Sequence, residues 1–460
     1  MNHTISISVL NNQVGIPVST DGVMGLVVKA IAVSTTFALG TPYLLTKLAD
    51  AEALGLTAAY DTTNNLAVNQ QISDFYLQAG EGALLWIYGI ATATTFNTFA
   101  GSSAYPAFVR GTATPTPANR VKMIGFCYDV PTTSQSATDF PVDVTNSIVS
   151  IDNANKTLFN QGYQLSSILD GYKMKTTATA STIGTMATQT APSVSLCITG
   201  TKPNGVSGVG AALGRFARIS IGHGFGEVAD GSLTNTEAYL TNCVTVPSTG
   251  TLIVGKVYTV YGGTYITYNS TVYPTGSVFT AVTGFTSFTT PDTAVCVENM
   301  VTVQSLSNYA DGSGDIGLLG TKQFMFMRTW INHSGFYWND AATCEDPTFQ
   351  LSTQEYNRVA NHLSAAALNF FIEEMGKNLP IDTKTGNVEQ SYLNVKQQDF
   401  YNLYILPLTT ASGSGDISDA ALIVTGVNFN STKTLNFTLS IVPTPILGNV
   451  IGTIQFTSTI

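Results

Sequence analysis

The stretch Gly335-Phe336-Tyr337-Trp338-Asn339-Asp340, with the sequence that follows it, decides the fold of the C-terminal part of this chain. It leads to Ser352-Thr353-Gln354-Glu355, in which a serine precedes a glutamate by three positions. This is the pattern of a capping box, whose side chains satisfy backbone N–H groups at a helix start. Gly376 favours a helix end. Between them, apolar residues recur at helical spacing and predict an amphipathic helix of about two dozen residues: Tyr356, Val359, Ala360, Leu363, Ala367, Phe370 and Met375.

Two strands are predicted after this helix. Residues 435–441 and 450–456 both alternate between apolar and polar side chains, as half-buried strands do. An exposed edge strand invites aggregation, unless another subunit is meant to pair with it. The pattern therefore favours assembly over catalysis.

Composition limits the function classes. Only 10% of the 460 residues are charged, against roughly 25% in typical soluble proteins, so Thr, Ser, Asn and Gly cover much of the surface. Such a surface suits large, nearly neutral interfaces; a secreted β-rich protein is the alternative with the same composition. The net charge of −10, without any Lys/Arg-rich run, argues against a nucleic-acid partner.

The N-terminal sequence lacks the features of a secretory signal, because it has neither a basic start nor a long apolar run. Residues 23–39 are the most apolar stretch, but Lys29 and several hydroxyl residues make them a poor membrane span. We therefore expect a protein made and retained in a bacterial cytoplasm, with no direct membrane insertion. Five cysteines, odd in number and widely spaced, predict reduced thiols: Cys127, Cys197, Cys243, Cys296 and Cys344.

The first half of the chain alternates strands with helices, which predicts an α/β fold with a sheet covered on both faces. The predicted strands are 43–46, 83–90, 121–128 and 193–198, with a further strand at 324–330. The predicted helices are 47–54 (capped by Thr46), 65–79, 153–169 and 209–219.

Residues 241–297 differ from this pattern. Short strands at 251–260, 265–273, 278–282 and 294–297 are separated by turn sequences about every ten residues, which predicts a small all-β module inserted into the α/β body. Five tyrosines crowd into it: Tyr258, Tyr261, Tyr265, Tyr268 and Tyr273. They either pack a thin sheet or form an outer surface that contacts host glycans or neighbouring subunits.

Candidate catalytic and cofactor patterns are incomplete. Gly208-Val209-Gly210-Ala211-Ala212-Leu213-Gly214 approaches the dinucleotide fingerprint, but its spacing is wrong and close helix packing explains the small residues better. His223 and Glu227 lie in or beside a glycine-rich loop without a nucleophile or an orienting partner. We therefore predict a protein that is not an enzyme and has no cofactor or metal.

The order of segments resembles contractile tail sheath proteins of bacteriophages and related injection systems. The aromatic segment 335–340 comes first, followed by the helix around Tyr356–Val359, a Pro380–Gly386 link and a final strand pair. The N-terminal half resembles the same family more loosely, through Leu44-Leu45-Thr46, residues 50–56, a helix at 68–79 and an apolar strand at 83–88.

This resemblance implies an α/β sheath-type body with the inserted module and strand-like arms. The expected divisions are an N-terminal arm (1–18), a first body part (19–240), the module (241–297), a C-terminal sheath core (298–442) and a C-terminal arm (443–460). The arms are expected to exchange strands with neighbouring subunits through Ile5, Ile7, Val9, Val450, Ile451, Ile454 and Phe456. Arg358, Lys377 and Lys396 are candidates for tube-facing or interface contacts.

The resemblance also implies a structural virion protein that forms stacked six-membered rings around an inner tail tube. Shortening of this sheath would drive the tube through the bacterial envelope, and baseplate and tail terminator proteins would be further partners. The alternative is a virion decoration or adhesin whose β-rich insert binds glycans. The expected location is the phage tail, after assembly in the host cytoplasm.

Overall fold

The computed structural model describes most of the chain. The described residues are 20–113, 119–131, 133, 135, 137–175, 177–228, 232–233, 237–242, 245–298, 302–307, 314–374, 377–409, 414–426 and 435–445. The predicted arm residues between positions 5 and 9 and between 450 and 456 lie outside them.

The N-terminal half is built on a six-stranded sheet. Its strands are β1 (Met24–Ala30), β2 (Pro42–Leu45), β3 (Leu85–Ala91), β4 (Met123–Cys127), β5 (Ser166–Asp170) and β6 (Val194–Cys197). The order across the sheet is β2-β3-β1-β4-β5-β6, and every neighbouring pair is parallel except β2 and β3. Strands β1, β4, β5 and β6 are buried along their whole length, as expected for a parallel sheet covered on both faces. The predicted α/β fold is confirmed.

Among the described residues, seven helices accompany this sheet: α1 (Leu48–Ala53), α2 (Ala58–Asn64), α3 (Val68–Ala79), α4 (Phe96–Ala100), α5 (Ala104–Thr112), α6 (Val142–Phe159) and α7 (Val209–Arg218). Two glycines of the sheet show which of its faces helices α5 and α7 cover. A Cβ on Gly125 of β4 would meet α7, whereas a Cβ on Gly25 of β1 would meet Phe108 of α5. Gly125 lies opposite Leu26, the neighbour of Gly25 in β1, and successive residues of a strand point to opposite faces. Helices α5 and α7 therefore cover opposite faces.

The predicted helix at 153–169 is wrong. Helix α6 begins eleven positions earlier, at Val142, and ends at Phe159; the chain then turns through Gly162 and enters β5 at Ser166. Gly162 has a φ of +84°, a left-handed conformation that suits glycine and ends the helix. The apolar residues after Gly162 belong to a buried strand, which a short apolar run does not distinguish from a helix.

A smaller antiparallel unit follows the body. After the short pair β7 (Thr199–Gly200) and β8 (Tyr239–Leu240), its strands are β9 (Thr245–Val246), β10 (Val257–Tyr261), β11 (Tyr265–Tyr268), β12 (Thr271–Pro274), β13 (Val278–Thr280) and β14 (Val295–Glu298). Strands β13, β10, β14 and β9 form one sheet, and β11 pairs with β12. Tyr258 and Tyr268 are buried in a core of this unit, and Tyr265 is exposed. The module boundaries at 241 and 297 stay a prediction.

The prediction of one strand at 265–273 is wrong, because this segment is the β11–β12 hairpin. Asn269 and Ser270 both have positive φ, +48° and +59°. Two such central residues make the tight turn whose twist matches a two-stranded hairpin.

The C-terminal part contains helix α8 (Asp315–Thr321), the hairpin β15 (Met327–Trp330) and β16 (His333–Trp338), helices α9 (Gln354–Ile372) and α10 (Gln390–Phe400), and strands β17 (Ile417–Thr425) and β18 (Asn436–Pro443). A π-helical turn at Tyr401–Ile405 follows α10. Helices α9 and α10 and strand β17 enclose a second hydrophobic core, which includes Val359, Leu363, Phe400, Leu422 and Val424.

Both predicted helix caps are wrong. Helix α9 begins at Gln354, and the carboxylate of Glu355 does not close a capping box; it accepts a hydrogen bond from the N–H of Phe225 at 2.9 Å. At α1, the cap is the carboxylate of Asp50, which accepts from the N–H groups of Thr46 and Lys47 at 2.8 and 3.2 Å. The predicted end of α9 at Gly376 lies outside the described residues.

Candidate assembly surface

The β17–β18 hairpin is the most exposed sheet of the C-terminal part. Alternate residues of β17 are buried, because Ala420, Leu422 and Val424 face the second core. On the outer face, Ile423 is 54% exposed and Val442 is 55% exposed. Phe437 of β18 stacks on Phe371 of α9, with ring centroids 5.1 Å apart, and so fixes the hairpin on the helix.

The long edges of this hairpin are open along most of their length. Within the described residues, β17 and β18 pair only with each other, apart from one bridge between Thr409 and Ile417. Nine-residue β17 and eight-residue β18 therefore present backbone N–H and C=O groups at their outer edges, except where the Val424 N–H donates to Gln397 Oε1 of α10 at 2.8 Å. Such edges accept a further strand readily. Strand β18 was predicted from its alternation, whereas β17 was missed, although Ala420, Leu422 and Val424 carry the same period-two signal.

Arg358 does not lie on the surface. It is 7% exposed, and its guanidinium donates to the carbonyl oxygens of Phe216, Ile219 and Ser220 at 3.1–3.3 Å. These carbonyls lie at the end of α7, where a helix leaves acceptors unpaired and carries partial negative charge. Arg358 therefore joins α9 to the α/β body, and its predicted tube-facing or interface contact stays a prediction. The position of Arg358 in the helical pattern of the sequence did not indicate these carbonyl partners.

The glycine-rich loop after α7 completes this junction. Gly222 lies so close to Asp416 that a Cβ there would be 2.3 Å from the Asp416 carbonyl oxygen, and Gly226 is equally close to Asn339. The Asp416 carboxylate accepts from the N–H of Gly222 at 2.8 Å and from the hydroxyl of Ser220 at 2.6 Å. The glycines therefore serve close backbone contact. His223, considered as an acid or base, pairs with Glu227 on this loop.

Two buried carboxyl groups lie at the same junction. Burial and the neighbouring charge of Asp340 raise the pKa of Glu355 to about 7. Burial also raises the pKa of Asp340. The pKa of Arg358 shifts in the opposite direction. Burial lowers it to about 10, although Asp21, Glu355 and Asp416 favour the charged form.

The two predicted lysine contacts come together at the end of α9. The ammonium groups of Lys377 and Lys396 lie 3.0 and 2.9 Å from the same Glu374 oxygen, and the Tyr392 hydroxyl donates to the other oxygen at 2.6 Å. Despite partial desolvation, these donors lower the pKa of Glu374 to about 2. The Lys377 side chain is 54% exposed and that of Lys396 is 21% exposed. A contact with another protein stays a prediction for both.

The Gly208–Gly214 segment packs two helices, as predicted. A Cβ on Gly210 would lie 1.9 Å from the Gln71 carbonyl oxygen of α3, and one on Gly214 would lie 2.4 Å from that of Phe75. The fully buried Gln71 side chain accepts from the Gly210 N–H and donates to the Ser207 carbonyl, each at 2.6 Å. It therefore occupies the helix N-terminus where a pyrophosphate would bind in a dinucleotide site.

The described part of the chain was searched for membrane-spanning helices and for metal-binding groups of side chains. Along it, no helix is both long and apolar enough to cross a membrane. Among the same residues, no three His, Cys, Asp or Glu side chains are grouped to hold a metal ion. Four described cysteines, Cys127, Cys197, Cys296 and Cys344, are free and buried.

Comparisons with known proteins agree with this architecture. The family model described as DUF2586, N-terminal domain, matches residues 3–267. No curated protein matches the chain. Among solved structures, it is similar to a chain of the cryo-EM structure of the anti-feeding prophage (AFP) baseplate, 6-fold symmetrised, with 9% identity, a TM-score of 0.52 and coverage of 100% of both chains.

Two sheath structures give similar values. The AFP helical sheath in the contracted state has a TM-score of 0.51 at 8% identity, with coverage of 100% of both chains. The sheath complex of an extracellular contractile injection system, PVC, also in the contracted state, has a TM-score of 0.50 at 10% identity, with coverage of 100% of this chain and 99% of that chain. The resemblance to contractile sheath proteins is therefore confirmed at the level of the fold.

Proposed function

Because this chain belongs to the DUF2586 family and has the fold of contractile sheath-system chains along its whole length, we propose that it is a sheath subunit. In this proposal, copies polymerise as stacked six-membered rings around an inner tail tube. Shortening of the sheath drives that tube through a bacterial envelope, with baseplate and tail terminator proteins as further partners. The full-length fold likeness is the observation that carries the proposal.

The open β17–β18 hairpin supports a mechanism of assembly. An added strand supplies main-chain hydrogen bonds without requiring a particular side chain, and such a linkage tolerates rigid-body movement of the subunit bodies. We propose that segments around Ile5–Val9 and Val450–Phe456 of neighbouring copies extend this hairpin. The low charged fraction of 10% also supports packing in a large lattice, because few charges must be desolvated at its interfaces.

Electron microscopy of the purified full-length chain tests the sheath proposal. We expect hollow tubes or stacked rings in negative stain, with a repeat that reports the number of subunits in each ring. Discrete monomers at high concentration, with or without an added inner tube protein, would contradict the proposal.

Truncation tests the strand exchange separately. Variants that lack residues 1–10 or residues 447–460 are expected to keep the circular dichroism and melting transition of the full chain while forming no tubes. If both truncated variants form long tubes, strand exchange through these segments is wrong, whereas the sheath proposal stands.

A further inference from the structure

A polar cleft lies between the α/β body and helix α9. Asp21, in the 3₁₀ turn Thr20–Gly22 before β1, lines it together with Lys122 and Gln164, which lie just before β4 and β5. Arg358 and His362 of α9 line the opposite side. The space open to a water-sized group is about 20 Å³, which suits a single water molecule or the tip of one side chain. This volume is too small for a nucleotide or a sugar.

Gln164 lines this cleft with a side-chain amide that lacks a hydrogen-bond partner among the described residues. It is 2% exposed, and neither its Nε2 nor its Oε1 has a hydrogen-bond partner in the described part of the chain. Buried side-chain amides in native proteins are nearly always hydrogen-bonded, because an unpaired buried donor or acceptor loses its interaction with water without compensation. A polar group from outside the described residues would supply the missing partner.

The charges around the cleft indicate the sign of that group. Asp21 is the single carboxylate among the lining residues, and it already contacts His362 Nδ1 at 2.9 Å and lies 4.0 Å from Lys122 Nζ. Lys122 and Arg358 are both cations, so the residues that line the cleft carry more positive than negative charge. The guanidinium of Arg358 donates its hydrogen bonds to carbonyl oxygens, and Asp21, Glu355 and Asp416 favour its charged form. Of these three carboxylates, only Asp21 lines the cleft. Burial and the nearby charge of Arg120 lower the pKa of Lys122, as expected for a cation that lacks a full counter-charge.

We propose that this cleft binds one carboxylate group, presented by an aspartate or glutamate side chain of a second copy of this chain. The carboxylate accepts hydrogen bonds from the Lys122 ammonium and from the Gln164 amide. A second copy is the favoured source because each chain carries 29 acidic residues against 19 basic ones, and because the proposed sheath lattice, on which this source rests, brings copies into contact. The contact would lie beside Asp21, at the junction of the body with α9.

Binding is tested with formate, the smallest carboxylate, and the full-length protein. Sodium formate replaces sodium gluconate at constant sodium concentration, since gluconate is a carboxylate too large for the cleft. We expect a saturable rise in melting temperature for the native chain, and none for Gln164→Leu or Lys122→Met. Lys156→Met is the matched control, because Lys156 pairs with Asp152 at 2.6 Å outside the cleft. An equal rise in all four proteins, or no saturable rise in the native chain, would overturn the site and leave an ordered water as its occupant.

Assembly distinguishes a second copy from a free anion. If the carboxylate comes from a neighbouring copy, saturating formate slows tube formation by the native chain at least several-fold relative to gluconate. The Gln164→Leu and Lys122→Met variants then assemble slowly in both salts. Saturable formate binding with unchanged assembly would overturn the second copy as the source. Failure of the native chain to form tubes would contradict the sheath function, while the formate titration would still decide whether the cleft binds a carboxylate.

Discussion

At the scale of single residues, the junction between the α/β body and α9 depends on two buried ionisable side chains, Glu355 and Arg358, that bond backbone groups of distant segments. Glu355 accepts from the Phe225 N–H, and Arg358 donates to the carbonyl groups at the end of α7. Burying a charged group is costly unless hydrogen bonds or opposite charges compensate it. These residues therefore make the stability of the junction sensitive to pH and to single substitutions.

Glu355 predicts a stability that falls as pH rises. Its folded-state pKa of about 7 lies above the ordinary value of 4.5, so the folded state holds the proton more tightly. The stability that Glu355 contributes through this tighter proton binding is fully present below pH 4.5. It is lost as pH rises through about 7, which lowers the free energy of unfolding by an amount on the order of 1–3 kcal/mol. Glu355→Gln should remove this part of the decline in melting temperature between pH 5 and 8. Glu373→Gln, at an exposed position after the same helix, is the control; an unchanged profile in Glu355→Gln would contradict the prediction.

Substitution of Arg358 is predicted to cause a large loss of stability, because its hydrogen bonds are buried. Arg358→Met should lower the free energy of unfolding by about 3 kcal/mol, because three buried carbonyl oxygens lose their donor. Urea unfolding followed by circular dichroism measures this change. Arg110→Met removes an exposed arginine and should cost less than about 0.5 kcal/mol. Equal stability of the two variants would show that Arg358 does not hold the junction.

At the scale of elements, the closest helix contact is the crossing of α3 and α7. Gly210 and Gly214 let the backbone of α7 approach the carbonyl oxygens of α3, and the Gln71 amide bonds both sides of the α7 start. Helix α7 also covers Gly125 of β4. A shift of this crossing would therefore disturb the central sheet as well.

Alanine substitution tests this crossing. Gly210→Ala should destabilise the protein by about 3 kcal/mol or more, or prevent soluble expression, because rigid backbone leaves no room for the methyl group. Gly111→Ala is the matched control: Gly111 lies in α5, and a Cβ at this position would have its nearest neighbour 3.8 Å away, in ordinary contact. Since alanine favours a helix over glycine, Gly111→Ala should be neutral or stabilising by up to about 1 kcal/mol. Thermal unfolding compares the two, and similar melting temperatures would contradict the close crossing.

At the scale of the whole molecule, the three largest hydrophobic cores of the described residues lie under the body, the antiparallel unit and the C-terminal unit. Buried thiols occur in two of them. Burial raises the pKa of Cys197 to about 12 and that of Cys296 to about 12, and it also raises the pKa values of Cys127 and Cys344. Buried thiols with raised pKa values react slowly, because the thiolate is the reactive form.

Thiol labelling therefore reports on global folding. In the native protein, Cys127, Cys197, Cys296 and Cys344 should react with Ellman's reagent at least about 100-fold more slowly than in 6 M guanidinium chloride, where all five cysteines should react. Thus at most one thiol, that of Cys243, should react quickly before unfolding. Rapid reaction of two or more native thiols would contradict the burial of these cysteines.

The sequence predicted the elements whose signals are local. The apolar runs that became β3, β4 and β6, and the small-residue helix α7, were all found, because a strand buried on both faces is apolar along its length. The contacts of Glu355 and Arg358 were missed because the partner of each side chain lies far away in the sequence. Glu355 has the spacing of a capping residue, yet it bonds Phe225, 130 positions away. Arg358 has the pattern of an exposed helix residue, yet its partners are 138–142 positions away.

By itself, the sequence determined the α/β class, the antiparallel character of the region near 245–298, the order of segments that resembles sheath proteins, and the weakly charged surface. These properties follow from periodicity, turn residues and composition, which act over a few neighbouring positions. Only the tertiary structure decided that Arg358 lies inside, that β17 pairs with β18 in a hairpin, and that Gln164, Lys122 and His362 meet in one cleft. Contacts between distant segments depend on which faces meet when the cores pack, and no local pattern encodes that meeting.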